Sequence, residues 1–335
     1  MINNPKNISS LDLFRGIAGY GVAICHFYYY LYDLNNFQFY SIFFVEFFFV
    51  LSGFVLFSQL KKVYDNSKNI KIFYFRRWLR TIPPYVVALV CYSILFSKFD
   101  IDTLKYLFFI QKISENFLEL DYFSIAWSLS VEEFFYFIFP IFLIIFNKKK
   151  FIHILILFIA LVYILKIMYL STNVNEEFYR VGTFLRLDAI AFGVLIRIYL
   201  EKIRNNLFNI FSAILIVFTM KYFLLNLENL SIFKLFLFII LIQCFSINMI
   251  IIFVNFNKII ANKFLVNFFS LLSKQTYSIY LFHFFIIHMF SQSTFLLNSK
   301  LILILYLISL FSFSSVCYYV FEKSIVENRP KYNFN

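Results

Sequence analysis

"LFRGIAGYGVAICHFYYYLYD" runs from Leu13 to Asp33, and its reading decides what kind of protein this is. The stretch is apolar enough to cross a hydrocarbon core, for which about 20 residues suffice. It nonetheless keeps Arg15 near one end and His26 well inside. A charged side chain at the centre of a spanning helix costs about 2.5–3.5 kcal/mol on insertion scales, so ionisable groups held there mark working positions by default.

The remainder of the chain repeats the pattern. Of 335 residues, 62% are hydrophobic and only 14% charged, whereas soluble domains are nearer half apolar and about a quarter charged. Apolar blocks about 20 residues long alternate with short Lys- or Asn-rich gaps. Such segments satisfy their backbone in lipid only as helices, so the expectation is an all-α, polytopic transmembrane bundle. The 52 Phe and 24 Tyr read as lipid-facing residues of a Phe/Ile/Lys/Asn-biased composition, not as an aromatic cage or a nucleic-acid platform. Cys25, Cys91, Cys244 and Cys317 stand singly with no CxxC or CxxH spacing, which suggests neither a metal site nor a disulfide. The polar start predicts no cleavable signal peptide.

Ten spans are expected, at about 11–32, 39–60, 81–97, 124–146, 151–171, 178–200, 206–225, 231–254, 266–290 and 296–320. Thr103–Ile110 is too short to span and reads as a surface or re-entrant piece. One side collects Lys61, Lys62, Lys68, Lys71, Arg76, Arg77 and Arg80, then Lys148–Lys150, Lys202, Arg204, Lys258, Lys263, Lys323, Arg329 and Lys331. The opposite gaps are poor in base and richer in acid, as in "YDLNNFQ", "STNVNEEFYR" and the region of Asp100, Asp102, Glu115, Glu119 and Asp121. By the positive-inside rule both termini are cytoplasmic. A single domain over 1–335 with no appended soluble domain is expected.

Placed on this map, the polar residues line up in depth. His26 stands eleven positions after Arg15, roughly 16 Å along the helix axis. Glu46, Glu132 and Glu133 lie in the outer parts of their spans, Arg186 and Asp188 near the middle of the sixth, and His283 in the outer half of the ninth. Charges at one depth on different helices must face one another or a wet cavity, so a polar cluster above a basic cytoplasmic floor is expected. Plainer readings stand beside this one. His283 also fits a helix-packing hydrogen bonder, Arg186 with Asp188 a structural ion pair, and Asp12 a helix N-cap or first-turn acid. His288 and His153 read as structural. Ser128 and Glu132 are four apart and share a helix face, with Glu133 their neighbour.

"FYFRRWLRTIPPY" (Phe73–Tyr85) supplies the floor: Arg76, Arg77 and Arg80 precede Pro83-Pro84, which is expected to re-aim the chain into the third span. Such a segment binds anionic lipid or, because guanidinium forks match phosphate oxygens, a phosphorylated cytoplasmic ligand.

Taken together the stretches resemble the acyltransferase-3 family of integral membrane acyltransferases. "RGIAGYGVAICH" carries the family's basic residue, ten-residue spacer and His, as Arg15 and His26. "FFFVLSGFVLF" (Phe47–Phe57) is similar to its second-helix signature. "RRWLR" matches its arginine element as Arg76, Arg77 and Arg80, and "WSLSVEEFFY" (Trp127–Tyr136) its Ser-x-x-x-Glu element as Ser128 and Glu132. "RLDAIAFG" (Arg186–Gly193), "TYSIYLFH" (Thr276–His283) and "FEKSIVENRP" resemble its later signatures and its usual ending.

The resemblance implies an acyl-CoA-dependent O-acyltransferase of the bacterial inner membrane, commonly using acetyl-CoA. It implies an envelope polysaccharide or lipid-linked glycan as acceptor, membrane lipids as surroundings, and no metal and no nucleic acid. In that setting His26 is the general base for the acceptor hydroxyl, with Glu132, backed by Ser128, orienting the imidazole or the acceptor. Arg15, Arg76, Arg77 and Arg80 would grip the CoA phosphates. The alternative is a transporter or flippase for a lipid-linked sugar, which would show inverted repeats and Gly/Pro-broken helices. Six Gly and five Pro offer little material for those.

Overall fold

Helix falls on each of the ten expected segments in a computed structural model that describes residues 8–146, 148–172, 174–203, 206–224, 231–257, 262–292, 299–330 and 332. Arg204, Lys258 and Lys331 of the charge map lie outside the described residues. In chain order the helices are α1 (Ser9–Tyr32), α2 (Asn35–Asp65), α3 (Asn69–Leu95), α4 (Ile101–Leu107), α5 (Trp127–Ile145), α6 (Phe151–Leu170) and α7 (Glu176–Val181). There follow α8 (Leu187–Tyr199), α9 (Asn206–Leu224), α10 (Ile232–Phe256), α11 (Lys263–Ser291), α12 (Ser299–Val316) and α13 (Lys323–Glu327). No strand occurs among the described residues.

Among the described residues six stretches are long and apolar enough to cross a membrane: Asn35–Asp65, Asn69–Leu95, Ser124–Ile145, Phe151–Leu170, Ile232–Phe256 and Ser299–Glu327. The other segments counted in the sequence as spans are α1, α9, α11 and the α7–α8 pair. Large apolar side chains stay uncovered on several helices, among them Leu207, Phe218, Ile145 and Ile304. Lipid removes the penalty such side chains would meet in water.

The chain divides into two compact units. The first comprises Met1–Phe48, Leu200–Leu225 and Cys244–Lys323. Its axis is the pair α1 and α11, which run parallel in one register. Arg15 meets Ser273, Gly16 lies against Leu272, Gly19 against Thr276, and His26 meets His283. Two small residues one turn apart let the helices approach closely. A Cβ on Gly19 would stand 2.8 Å from Thr276 Cγ2. Beside this seam Phe27, Ile279, Ile286 and Leu310 pack around Tyr306, whose hydroxyl donates to the Ala23 carbonyl at 3.3 Å. Asp12 resolves as an acid of the first turn, since Ile8 occupies the N-cap.

The second unit comprises Phe49–Tyr199, Asn226–Gln243 and Ser324–Asn335. Here the signatures "VLSGF" and "AIAFG" acquire a physical reason, for α2 and α8 cross backbone on backbone. A Cβ on Gly53 would fall 1.8 Å from the Ile190 carbonyl oxygen, and one on Gly193 2.0 Å from that of Val50. Main chain cannot rotate aside as a side chain can, so Gly193→Ala must pry the helices apart. Overpacking of this kind costs about 1–3 kcal/mol. The expected result is a melting temperature several degrees lower, read on detergent-purified protein; an unchanged value would show that the crossing yields freely.

Two expectations are corrected in this unit. Pro83 and Pro84 do not re-aim the chain, because α3 starts at Asn69 and runs through both, so the arginine stretch and the apolar segment after it share one helix. Proline's fixed φ suits a helix even though two N–H donors are lost, and the buried Pro84 and Tyr85 are held by packing, with Tyr85 donating to the Tyr106 carbonyl at 2.9 Å. The sixth span is not one helix. After α7 the backbone turns extended at Gly182 (φ −57°, ψ 127°), and a 3-10 turn over Thr183–Arg186 leads into α8. Thr183 N–H leaves the helical pattern to donate to the Lys112 carbonyl at 2.9 Å.

Between α3 and α5, Thr103–Ile110 is indeed no span. Asp100 caps the short α4, accepting from the Asp102 N–H at 3.0 Å. Burial would raise the Asp102 carboxyl, but Lys105 and the backbone N–H groups of Leu120 and Glu119 outweigh it and hold it below the usual range. Next to this connection lies a polar cavity of about 260 Å³, lined by Lys112, Glu115, Phe117, Glu119, Asn175 and Glu177 among others.

Candidate functional site

In the first unit the α1–α11 register brings two imidazoles together. His26 Nδ1 stands 2.8 Å from His283 Nε2, with the ring planes 19° apart. His283 is fully buried, and its Nδ1 faces the carbonyl oxygens of Tyr280 at 2.8 Å and Ile279 at 3.1 Å. His26 is partly exposed and flanked edge-on by Tyr30 and Phe284. Lower on the same seam Arg15 Nη1 donates to Ser273 Oγ at 3.1 Å. Glu46, on the part of α2 that belongs to this unit, is fully buried.

The second unit gathers arginines. Arg76 and Arg80 share a face of α3, one turn apart, while Arg77 turns inward and is only 7% exposed. The Arg77 guanidinium lies over the Tyr136 ring, 5.1 Å from its centroid. Tyr136 donates to Glu132 Oε2 at 3.0 Å and pairs with the Ser52 hydroxyl at 2.7 Å. Glu132 is thereby tied through a tyrosine to the basic cluster. Ser128, one turn earlier on α5, points its hydroxyl to the Ile125 carbonyl at 3.5 Å.

The end of the chain completes this cluster, which the sequence reading missed. Arg76 Nη1 donates to the Pro330 carbonyl at 2.5 Å, and its guanidinium lies 5.3 Å from the centre of the Tyr332 ring. Lys62 approaches the same ring at 4.5 Å, and Tyr332 donates to Gln59 Oε1 at 3.3 Å. Burial, then Arg80, Arg76 and Arg77, push the Arg329 guanidinium down to about 10. Among the described residues no carboxylate comes within ion-pair distance of Arg76, Arg77, Arg80 or Arg329, and the buried Nε atoms of Arg76 and Arg77 have no hydrogen-bond acceptor. Four guanidinium groups gathered with no carboxylate in direct contact have the chemistry to receive an anion. Its sequence signal was the placement of Arg329 on the same charge-mapped side as "RRWLR".

Asp188 is paired, but with Lys166 rather than Arg186. Lys166 Nζ donates to Asp188 Oδ2 at 2.5 Å, Gln243 Nε2 donates to the same oxygen at 3.0 Å, and both charged side chains are essentially buried. Arg186 is 1% exposed and sits 5.9 Å from the Phe49 ring centre. A lone lysine inside the apolar block of α6 was the legible hint, since intramembrane cations call for a partner. The pair fastens α6 to α8 and reads as structural.

Comparison with known proteins now bears on these groups. The acyltransferase-3 family, described as an acyltransferase domain, matches residues 8–321. A Staphylococcus aureus (strain COL) protein named "Putative O-acetyltransferase SACOL0978" is 28% identical over 318 residues, covering 84% of this chain and 51% of that protein. The "O-acetyltransferase OatA" of Staphylococcus aureus (strain NCTC 8325 / PS 47) is 29% identical over 158 residues, 41% of this chain and 25% of that protein. An uncharacterized Haemophilus influenzae protein is 30% identical over 207 residues, 51% of this chain and 84% of its own length. The chain thus spans about half the length of the first of these relatives. No solved structure matches.

Proposed function

Because the chain belongs to the acyltransferase-3 family, we propose that it moves an acyl group, acetyl above all, from cytoplasmic acyl-CoA to a hydroxyl of a cell-envelope carbohydrate. The setting of this proposal is the bacterial cytoplasmic membrane. One observation carries the choice of donor: the arginine cluster of α3 and the chain end, with buried guanidinium nitrogens that lack an acceptor. Phosphate oxygens suit that array, being divalent acceptors that take forked N–H donors. Arg76, Arg77, Arg80 and Arg329 then hold the donor phosphates, with Tyr332 as an aromatic surface beside them.

The chemistry falls to His26. Its imidazole takes the proton from the acceptor hydroxyl as the oxygen attacks the thioester carbonyl. Collapse of the tetrahedral intermediate breaks the C–S bond and expels the CoA thiolate, which takes that proton from the imidazolium and so restores the base. Glu132, held by Tyr136 beside Arg77, steadies the guanidinium that grips the donor. The names of the Staphylococcus aureus relatives favour oxygen as the acceptor atom. The polar cavity beside α4 offers carboxylates, an amide and Phe117, groups of the kind that engage sugar hydroxyls.

The test uses membrane vesicles containing the protein, acetyl-CoA labelled in the acetyl group, and an envelope glycan fraction. Label is expected on the glycan, released by mild alkali as befits an ester. Translocated glycan without label would replace the enzyme with a transporter.

A further inference from the structure

We propose that His283 is a positioning residue that fixes the tautomer of His26, leaving the lone pair of the catalytic imidazole on Nε2. The inference rests on His26 being the base. Carbonyl oxygens only accept hydrogen bonds, so His283 Nδ1, facing those of Tyr280 and Ile279, must carry the proton. The ring is fully buried, and no carboxylate is paired with it among the described residues, so it is held neutral. A neutral ring protonated at Nδ1 has a bare Nε2. That nitrogen is the one 2.8 Å from His26 Nδ1, so the shared proton belongs to His26.

A neutral His26 protonated at Nδ1 is in turn a base at Nε2. When it takes the acceptor's proton there, its Nδ1–H still points at the His283 lone pair, which accepts a stronger, charge-assisted bond. A carboxylate does this work in hydrolase triads; here a second imidazole does it, anchored by the main chain of its own helix. The anchor is rigid because Nδ1 bonds to carbonyls three and four residues back on α11. Small residues on the seam hold the two rings at this spacing.

The experiment compares His283→Gln and His283→Phe, measuring acetyl transfer from labelled acetyl-CoA to the glycan fraction. Glutamine places an amide oxygen near the position of the original Nε2 and can still accept from His26. Phenylalanine fills the space and accepts nothing. The expected result is a kcat loss of about 10²-fold for Phe with KM for acetyl-CoA unchanged, and at least a tenfold recovery of kcat in Gln. Equal kcat in the two variants, or a Phe variant as active as wild type, would overturn the proposal. Imidazole ¹⁵N resonances of the folded wild-type protein give a second reading, and four histidines make assignment tractable. A protonated Nδ1 and bare Nε2 on both rings are expected; a protonated Nε2 on His26 would sink the idea. Failure of the underlying reading looks different, because His26→Ala would then remain active whatever position 283 holds.

Discussion

His26→Ala lowers acyl transfer by about 10²–10⁴-fold, the range a positioned general base contributes. A sugar hydroxyl is a poor nucleophile until its proton is taken, and among the described residues of this seam His26 combines partial exposure with an imidazole nitrogen able to accept that proton. The loss is expected in kcat, with acyl-CoA affinity preserved, because the arginine cluster belongs to the other compact unit of the chain. Alanine also leaves the His283 Nε2 without its donor, and an unsatisfied buried polar atom costs about 1–3 kcal/mol. A melting curve must therefore accompany the kinetics. His26→Gln serves as the check, since its amide N–H₂ can still donate to His283 while providing no base. Both variants inactive, with Gln folding like wild type, is the outcome expected from titration chemistry. Either variant turning over at a sizeable fraction of the wild-type rate would remove His26 from the base role.

What could be read in the sequence follows from what each signal depends on. Helix positions rest on local hydrophobic runs, so α5, α6 and α10 fall within a few residues of their expected limits. The break at Gly182 was hidden because the apolar pattern continues across it while the backbone leaves the helix to bond with Lys112. Pro83-Pro84 misled in the opposite sense, as two residues that disfavour helix locally are overridden by packing around Tyr85. His26 and His283 were both legible as costly intramembrane groups, but their meeting depends on the α1–α11 register, which Gly16 and Gly19 set through contacts no single helix reveals. The same holds for Lys166, whose partner lies 22 positions away, and for Arg329, 249 positions beyond Arg80. Glu132 was expected to serve the imidazole. Within its own unit it accepts from Tyr136, one turn along its helix, a bond that the four-residue spacing made legible.

The joint replacement Arg76→Ala with Arg77→Ala should raise the dissociation constant for acyl-CoA by about 10²-fold or more, since hydrogen bonds to charged groups contribute about 1.5–3 kcal/mol each. The melting response to added anion separates a ligand site from a structural one. In the ligand-free protein these arginines repel Arg329, whose guanidinium is lowered to about 10 by burial and by Arg80, Arg76 and Arg77. A base whose folded pKa lies below its unfolded value destabilises the fold while charged, and that penalty fades as pH rises through the folded pKa. Removing two neighbours at neutral pH therefore relieves repulsion, which offsets part of what the ligand-free variant loses with the Arg76 bond to Pro330 and the Arg77 contact on Tyr136. CoA or inorganic pyrophosphate should raise the melting temperature of wild type, since ligands that bind only the native state stabilise it by mass action. The same anions should leave the variant unmoved. The effect should weaken as salt is added, because the partly exposed Arg76 and Arg80 are screened over about 10 Å at 0.1 M. Affinity unchanged in lipid-free detergent would instead assign these arginines to the anionic leaflet, where a juxtamembrane basic segment gains about 1 kcal/mol per charge from the membrane surface.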